Sequence, residues 1–291
     1  MSSIPLIDWK RVDILIDLAL EEDLGDRGDT TTTACVPEAA QSRAVLLCKE
    51  DEMILAGIEV AEKVFKKIDP SLSFTAFKKD GDHCVRGEKL AEINGSARAI
   101  LTGERTALNF IQRLCGVATM SYFYARELKD SSCVVLDTRK TTPGYRNLEK
   151  YAVAVGGAGN HRIGLFDRIM IKDNHREMAG MEGAGGILRS VERARAMYPD
   201  LEVEVEVDTL EELDEALQSG CEYILLDNMS TEMMAEAVKR NQGRAKLEAS
   251  GNITIERLPE IAAVGVDYAS SGALTHSVKS SDISLDITPL K

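Results

Sequence analysis

Residues 203–228, VEVEVDTLEELDEALQSGCEYILLDN, carry the reading that decides the fold. Val203–Val207 alternates as a strand, Leu210–Gln218 has the spacing of a helix, and Tyr223–Leu226 is a second apolar run. Two strands joined by one helix form a βαβ unit, whose strands run parallel. The same beat extends in both directions. Strands are predicted at Val134–Leu136, Ile169–Ile171, Ala245–Ala249 and Val266–Ala269. Helices are predicted at Leu148–Val155, Ile187–Met197, Glu232–Lys239 and Ile255–Ala263. About six units is fewer than the eight of a closed barrel, which points to an incomplete α/β barrel. A doubly wound open sheet is the alternative that periodicity does not separate.

The part before this beat differs. Asp8 is placed to cap a helix with apolar Val12, Leu15, Ile16, Ala19 and Leu20 on one face. Ala44–Cys48, Leu72–Phe77 and Leu90–Ile93 read as strands, Ile58–Ile68 as a helix, and Thr30–Thr33 as strand or loop. Asp80-Gly81 is a turn signal, and residues 97–129 read as helix, broken near Gly116. The expected division is residues 1–115 as an N-terminal domain and 116–274 as the barrel. The alternating tail, 275–291, is expected to return to the first domain as an edge strand.

The residues after each barrel strand carry the chemistry, because in parallel α/β folds these ends share one rim where ligands bind. The first strand leads into Asp137, Thr138, Arg139 and Lys140, the second into Lys172, Asp173, Asn174 and His175. Glu204 and Glu206 lie on the third, and Asp227-Asn228 follow the fourth. Ser250-Gly251-Asn252 and Ser270-Ser271-Gly272 follow the last two. Residues 138–176 hold eight Lys/Arg against three acids, in a chain whose net charge is −13. A basic island kept against that trend points to a small, multiply charged anion. Arginines such as Arg139 and Arg162 offer planar two-pronged donor sets, whereas Lys140 and Lys172 act as point charges. Glu206 and Asp227 suit ribose hydroxyls or Mg²⁺, which takes one or two carboxylates plus phosphate oxygens. The serine–glycine sector suits a phosphate monoester, since glycine admits close backbone approach.

Composition excludes several classes. A pI near 4.9 disfavours nucleic acid and anionic membrane surfaces. No apolar run reaches the roughly 20 residues that span a bilayer, and the start lacks a signal-peptide pattern. A cytoplasmic protein is expected. Six scattered cysteines without a C-x-x-C predict reduced, mostly buried thiols. Gly156-Gly157-Ala158-Gly159 lacks dinucleotide-fingerprint spacing. His83 and His276 are expected to be surface or structural residues.

The strings LDTRKTTPGYR (136–146), GNHRIGLFDRIMIKDNH (159–175), EVEV, LLDNMS and EASGNIT resemble quinolinate phosphoribosyltransferase. EEDLGDRGDTTT and GERTALNFIQRLCGVAT extend the resemblance over nearly the whole chain. It implies an N-terminal α/β sandwich joined to the incomplete barrel. It also implies phosphoribosyl transfer from phosphoribosyl pyrophosphate to quinolinate with loss of CO₂, giving nicotinate mononucleotide and pyrophosphate for NAD synthesis. Carried over, the quinolinate-binding residues are Arg139, His161, Arg162 and Lys172. Lys140 is expected to contact the pyrophosphate side or the co-substrate and, with Glu206 and Asp227, to be catalytic. Those two acids would hold ribose hydroxyls and Mg²⁺. Thr138, Ser250, Gly251, Asn252, Ser271, Gly272 and Ala273 complete the substrate-binding set, the serine–glycine residues at the 5′-phosphate. Arg105 matches an arginine that reaches a neighbouring subunit's site, which implies a homodimer or higher oligomer. Ala154, where a basic residue is expected, and Ala158, inside a glycine run, depart from the pattern. The rival readings are a Schiff-base lysine enzyme at Lys140 or Lys172, a transferase acting on nicotinate, a transport-associated relative of unknown substrate, and a non-catalytic phosphoribosyl-pyrophosphate sensor.

Overall fold

A computed structural model describes residues 4–290, which divide into two compact units. Of the described residues, the first comprises 4–122, 142–157 and 277–290; the second comprises Phe123–Thr141 and Ala158–His276.

The first unit opens with α1 (Trp9–Leu24), whose N-terminal amides are capped by the Asp8 carboxylate. Next comes α2 (Thr30–Cys35), where the sequence suggested strand or loop. The Asp29 carboxylate accepts from Thr32 N at 2.8 Å, and that cap outweighs the β preference of four threonines. Then follow β1 (Gln41–Cys48), β2 (Met53–Ile54), α3 (Ile58–Ile68), β3 (Ser73–Ala76), β4 (His83–Cys84), β5 (Lys89–Ser96) and α4 (Ala97–Glu127). The helix α4 is continuous, contrary to the expected break at Gly116. Gly116 instead admits the tail: a Cβ there would sit 2.4 Å from the Lys279 carbonyl oxygen. The terminal strand of the chain, Ile283–Pro289, runs antiparallel to β1 in a sheet where β1 also pairs with β5, and β5 with β3.

After β6 (Val134–Leu136) comes α5 (Arg146–Val155), which belongs to this first unit, not to the barrel region 116–274 in which the sequence placed it. Its anchor is the fully buried Glu149 carboxylate, which accepts from Arg113 Nη2 at 2.6 Å, Thr142 N at 3.0 Å and Thr142 Oγ1 at 2.9 Å. Tyr151 Oη also donates to Asp80 at 2.7 Å, while Asp80 accepts the Gly57 and Ile58 amides that open α3. Five of the six cysteines are buried and none is in a disulfide, with burial pushing the Cys84 thiol up to about 11.

The second unit continues with β7 (Ile169–Ile171), α6 (Asp173–Met178), α7 (Gly186–Met197), β8 (Val203–Val207), α8 (Leu210–Ser219), β9 (Tyr223–Asp227) and α9 (Thr231–Asn241). It ends with β10 (Lys246–Ser250), a 3-10 turn leading into α10 (Leu258–Val264), β11 (Tyr268–Ser270) and α11 (Ala273–His276); the tail strand is β12. The parallel order is β6-β11-β10-β9-β8-β7. β6 and β7 therefore lie at the two ends of the row, and the barrel is incomplete. Beside β6, Gly159 makes a single parallel bridge to Leu136.

The join of α5 to the following loop gives the first test. A Cβ at Gly156 would lie 2.2 Å from the Ala118 carbonyl oxygen and 2.8 Å from Ser121 Cβ. Gly156→Ala forces backbone apart in a packed interior. It should lower unfolding free energy by about 1–3 kcal/mol, read from the denaturant midpoint.

Candidate active site

Asp137, at the end of β6, organises the site. It is fully buried, and its carboxylate accepts from His161 N and Asn160 Nδ2, each at 2.8 Å. Gly159 N donates to Val135 O at 2.8 Å, and Asp137 N donates to Gly159 O at 3.1 Å. A Cβ on Gly159 would approach Leu136 Cδ2 to 2.6 Å, so glycine lets this segment lie against β6 without displacing the Leu136 side chain. The result is that residues 159–162 follow β6 and bring Arg162 to the same cavity as Arg139 and Lys140.

That cavity has a volume of about 680 Å³, within the usual range for small-molecule sites. Every residue the sequence assigned to the site, except Arg105, lines it: Thr138, Arg139, Lys140, His161, Arg162, Lys172, Glu206, Asp227, Ser250, Gly251, Asn252, Ser271, Gly272 and Ala273. Arg105 is exposed on α4 in the first unit. His276, expected as a surface or structural residue, is exposed and also lines the cavity, as do the rim residue Asn228 and Glu248, which the sequence reading did not select. Ala154 does not line it, and Ala158 is buried.

The cationic side is crowded. Arg162 Nη1 donates to Arg168 O at 3.1 Å, and burial together with the nearby Arg139 charge lowers its pKa. Lys172 forms an ion pair with Glu206. On the acidic side, burial raises the Glu206 pKa against the pull of Lys172, with Asp227 and Asp173 adding to the rise. Asp208 is raised by burial and by the charges of Glu212, Asp227 and Asp173. Four carboxylates (Asp173, Glu206, Asp208, Asp227) therefore feel one another here.

The serine–glycine side depends on backbone shape. Gly251 has φ +88°, and a Cβ there would meet Asn228 Oδ1 at 2.1 Å; Asn252 has φ +50°. Asn228 N donates to Ser250 O at 3.0 Å, tying the ends of β9 and β10 together. Ser271 Oγ donates to Ile253 O at 3.0 Å. Thr275 Oγ1 donates to Lys140 O at 2.8 Å, which joins α11 to the basic loop. Over Gly272, a Cβ would meet His276 Nε2 at 2.8 Å and Lys140 Cδ at 2.9 Å, so both side chains pack at this end of the cavity.

Beneath the basic side lies a buried cluster. His161 Nε2 is 3.1 Å from Glu204 Oε2 and 3.5 Å from Glu248 Oε2, while its Nδ1 accepts from Arg162 N at 2.7 Å. The backbone bond places the neutral ring's proton on Nε2, facing the carboxylates. Burial disfavours the imidazolium, but the Glu204 hydrogen bond and the charges of Glu248 and Glu204 outweigh it and raise the pKa. Arg168 Nη1 stands 3.6 Å from Glu204, and its guanidinium lies 3.9 Å from the Tyr223 ring centre. Burial and the Glu204 charge push Glu248 up to about 7.

Comparison with known proteins agrees along the chain. Residues 117–286 match the family model "Quinolinate phosphoribosyl transferase, C-terminal domain", and residues 29–115 match the corresponding N-terminal domain. A Bacillus subtilis protein named probable nicotinate-nucleotide pyrophosphorylase [carboxylating] is 45% identical, covering 92% of this chain and 90% of its own length. A chloroplastic nicotinate-nucleotide pyrophosphorylase [carboxylating] from Oryza sativa is 44% identical over 97% of this chain and 78% of its own length. The crystal structure of NadC from Streptococcus pyogenes superposes with a TM-score of 0.92 at 41% identity, covering 99% of this chain and all of that one.

The raised Glu248 pKa has a stability consequence. A carboxyl whose folded pKa is above its ordinary 4.5 stabilises the folded state fully below 4.5, and that contribution is lost as pH rises towards about 7. Glu248→Gln cannot ionise. Its melting temperature relative to the parent should therefore improve steadily between pH 5 and about 8 in thermal scans.

Proposed function

The chain belongs to the quinolinate phosphoribosyl transferase family, and on that premise we propose that it joins the ribosyl carbon of phosphoribosyl pyrophosphate to the ring nitrogen of quinolinate. The products are nicotinate mononucleotide, pyrophosphate and CO₂. The observation that carries the reading is one cavity lined by Arg139, Arg162 and Lys172 together with Glu206, Asp227 and the Gly251 and Gly272 turns. Three cations suit a dicarboxylate, two acids a ribose, and glycine turns a phosphate.

In this reading Arg139 and Arg162 grip the two carboxylates of quinolinate and aim its nitrogen. Lys172, freed from Glu206 as the substrates enter, joins that grip. Glu206 and Asp227 hold the ribose hydroxyls, and Lys140 lies on the pyrophosphate side. Thr138, Ser250, Gly251, Asn252, Ser271, Gly272 and Ala273 seat the phosphate ends. Catalysis comes from positioning and from cations placed where negative charge gathers on the leaving group, with no protein nucleophile. Once the nitrogen carries a positive charge, the adjacent carboxylate leaves readily because the ring accepts its electrons.

Mg²⁺ fits the acidic side. Glu206 is raised by burial beside Asp227 and Asp173, and a cation would offset that crowding. Glu206 and Asp227 would hold it, with substrate oxygens and water completing its shell. When bound it would neutralise charge on the departing pyrophosphate.

Arg105, exposed on α4, is assigned to the neighbouring copy's cavity in a homodimer or larger assembly. We place the reaction in the cytoplasm, a setting supported by six cysteines without a disulfide. Among the described residues no helix is long and apolar enough to cross a membrane.

The purified chain, given quinolinate, phosphoribosyl pyrophosphate and Mg²⁺, should release pyrophosphate and CO₂ in equal amounts; nicotinate in place of quinolinate should yield no CO₂. Pyrophosphate release with nicotinate alone would overturn the substrate assignment. Arg162→Ala should lower kcat/KM for quinolinate by about 10²-fold or more, the usual cost of removing a charged grip. Steady-state kinetics check this, and near-parental turnover would exclude Arg162 from the grip.

A further inference from the structure

Glu204 and Glu248 are fully buried acids that the reaction above does not use, yet Glu248 lines the substrate cavity. With His161 they present ligand atoms within 4.8 Å of one another. Their counter-charges are unequal. Glu204, on β8, faces His161 at 3.1 Å and Arg168 at 3.6 Å. Glu248, on β10, faces His161 at 3.5 Å. Both its oxygens are buried without a well-formed hydrogen bond, although the Ser270 hydroxyl of β11 faces it. Burial first, and then the Glu204 charge, favour the protonated carboxyl, and together they outweigh the opposing charges of His161 and Arg168 and the Ser270 hydroxyl.

The reaction needs such a proton. When CO₂ leaves, its bonding electron pair stays on the ring carbon beside the charged nitrogen. Unless that carbon is protonated, CO₂ recombines with it. The groups lining the cavity differ in their fitness to donate. Arginine holds its protons too tightly. Lys172 is paired with Glu206. Both His161 nitrogens are engaged, Nδ1 with the Arg162 amide and Nε2 with the two glutamates. Lys140 and His276 pack over Gly272, at the end assigned to phosphate.

We propose that Glu248 is the carboxylic acid that protonates the ring carbon vacated by CO₂. The assignment rests on the phosphoribosyl transfer and decarboxylation proposed above. The carbon–carboxylate bond breaks and CO₂ departs. The electron pair left behind takes the proton from the Glu248 hydroxyl, forming the new C–H bond. The resulting carboxylate sits beside His161 and regains a proton from water after product leaves. A carboxyl pushed up to about 7 matches this task at neutral pH.

The test is a single-turnover experiment on the full chain with quinolinate, phosphoribosyl pyrophosphate and Mg²⁺, following pyrophosphate and CO₂ in the same samples. In Glu248→Gln, pyrophosphate should form at close to the parental rate while CO₂ release slows at least tenfold. A nucleotide retaining both carboxylates should accumulate, visible by mass. In the parent, CO₂ release should lag pyrophosphate increasingly as pH rises through about 7, and the variant's lag should not depend on pH. Equal slowing of both products would make Glu248 a positioning residue for His161 and Arg162 and overturn the proposal, as would parental behaviour in the variant. If the variant fails to fold, a CO₂ lag in the parent that is the same at pH 6 and 8.5 overturns it. Absence of pyrophosphate from the parent would instead sink the phosphoribosyl reading itself.

Discussion

The site depends on one buried carboxylate. Asp137 accepts the His161 amide and the Asn160 side chain, and so fastens residues 159–162 along β6. That fastening helps hold Arg162 in the same cavity as Arg139. Two guanidinium groups repel, as the lowered Arg162 pKa records, so the scaffold must supply the force that holds them near one another. The Asp137 carboxylate supplies part of that force through the His161 amide and the Asn160 side chain. The bare Cα of Gly159 completes the arrangement by letting the segment press against Leu136.

Much of this was legible in the sequence, for a definite reason. Strand and helix spacings survive translation into structure when both faces of a strand are buried, and all six parallel strands were located to within about two residues. The residues after the strands followed from topology, while His161, Ala273 and the individual roles came with the family resemblance; nearly all of the assigned site lines one cavity. What was lost needed three-dimensional neighbours. The alternation in VEVEV does not show whether its glutamates face water or the inside of a barrel; here Glu204 is fully buried and Glu206 half-buried. Gly116 looked like a break because the carbonyl of Lys279 that requires it lies more than 160 residues away in the chain. The helix α5 has barrel spacing, but Arg113 and Thr142 claim Glu149 for the other unit. His276 gave no signal, because its place over Gly272 arises from a single helical turn after β11.

The acidic and basic sides of the cavity are not independent. Lys172 and Glu206 satisfy each other in the structure, although in the proposed reaction they serve different substrates. Binding both substrates exchanges one internal ion pair for two external ones. A partly exposed pair of this kind contributes little to stability, so separating it costs little. The arrangement keeps a raised acid and a basic grip close together without locking either into a partner it cannot release.

The buried glutamates complete this electrostatic logic. The cations that grip the dicarboxylate in the proposed reaction crowd one another in its absence, and burial with the Arg139 charge lowers the Arg162 pKa. Glu204 and Asp167 raise what burial and Arg139 lower, so part of the missing substrate charge is supplied from beneath. Two full negative charges there would repel the incoming dicarboxylate as strongly as they calm the arginines. A single one, with Glu248 holding its proton, supports the cations while Arg139, Lys140, Arg162 and Lys172 face Glu206 and Asp227 along the cavity lining. The same imbalance that makes Glu248 hold its proton in the resting enzyme therefore leaves a neutral acid where the proposed decarboxylation needs one.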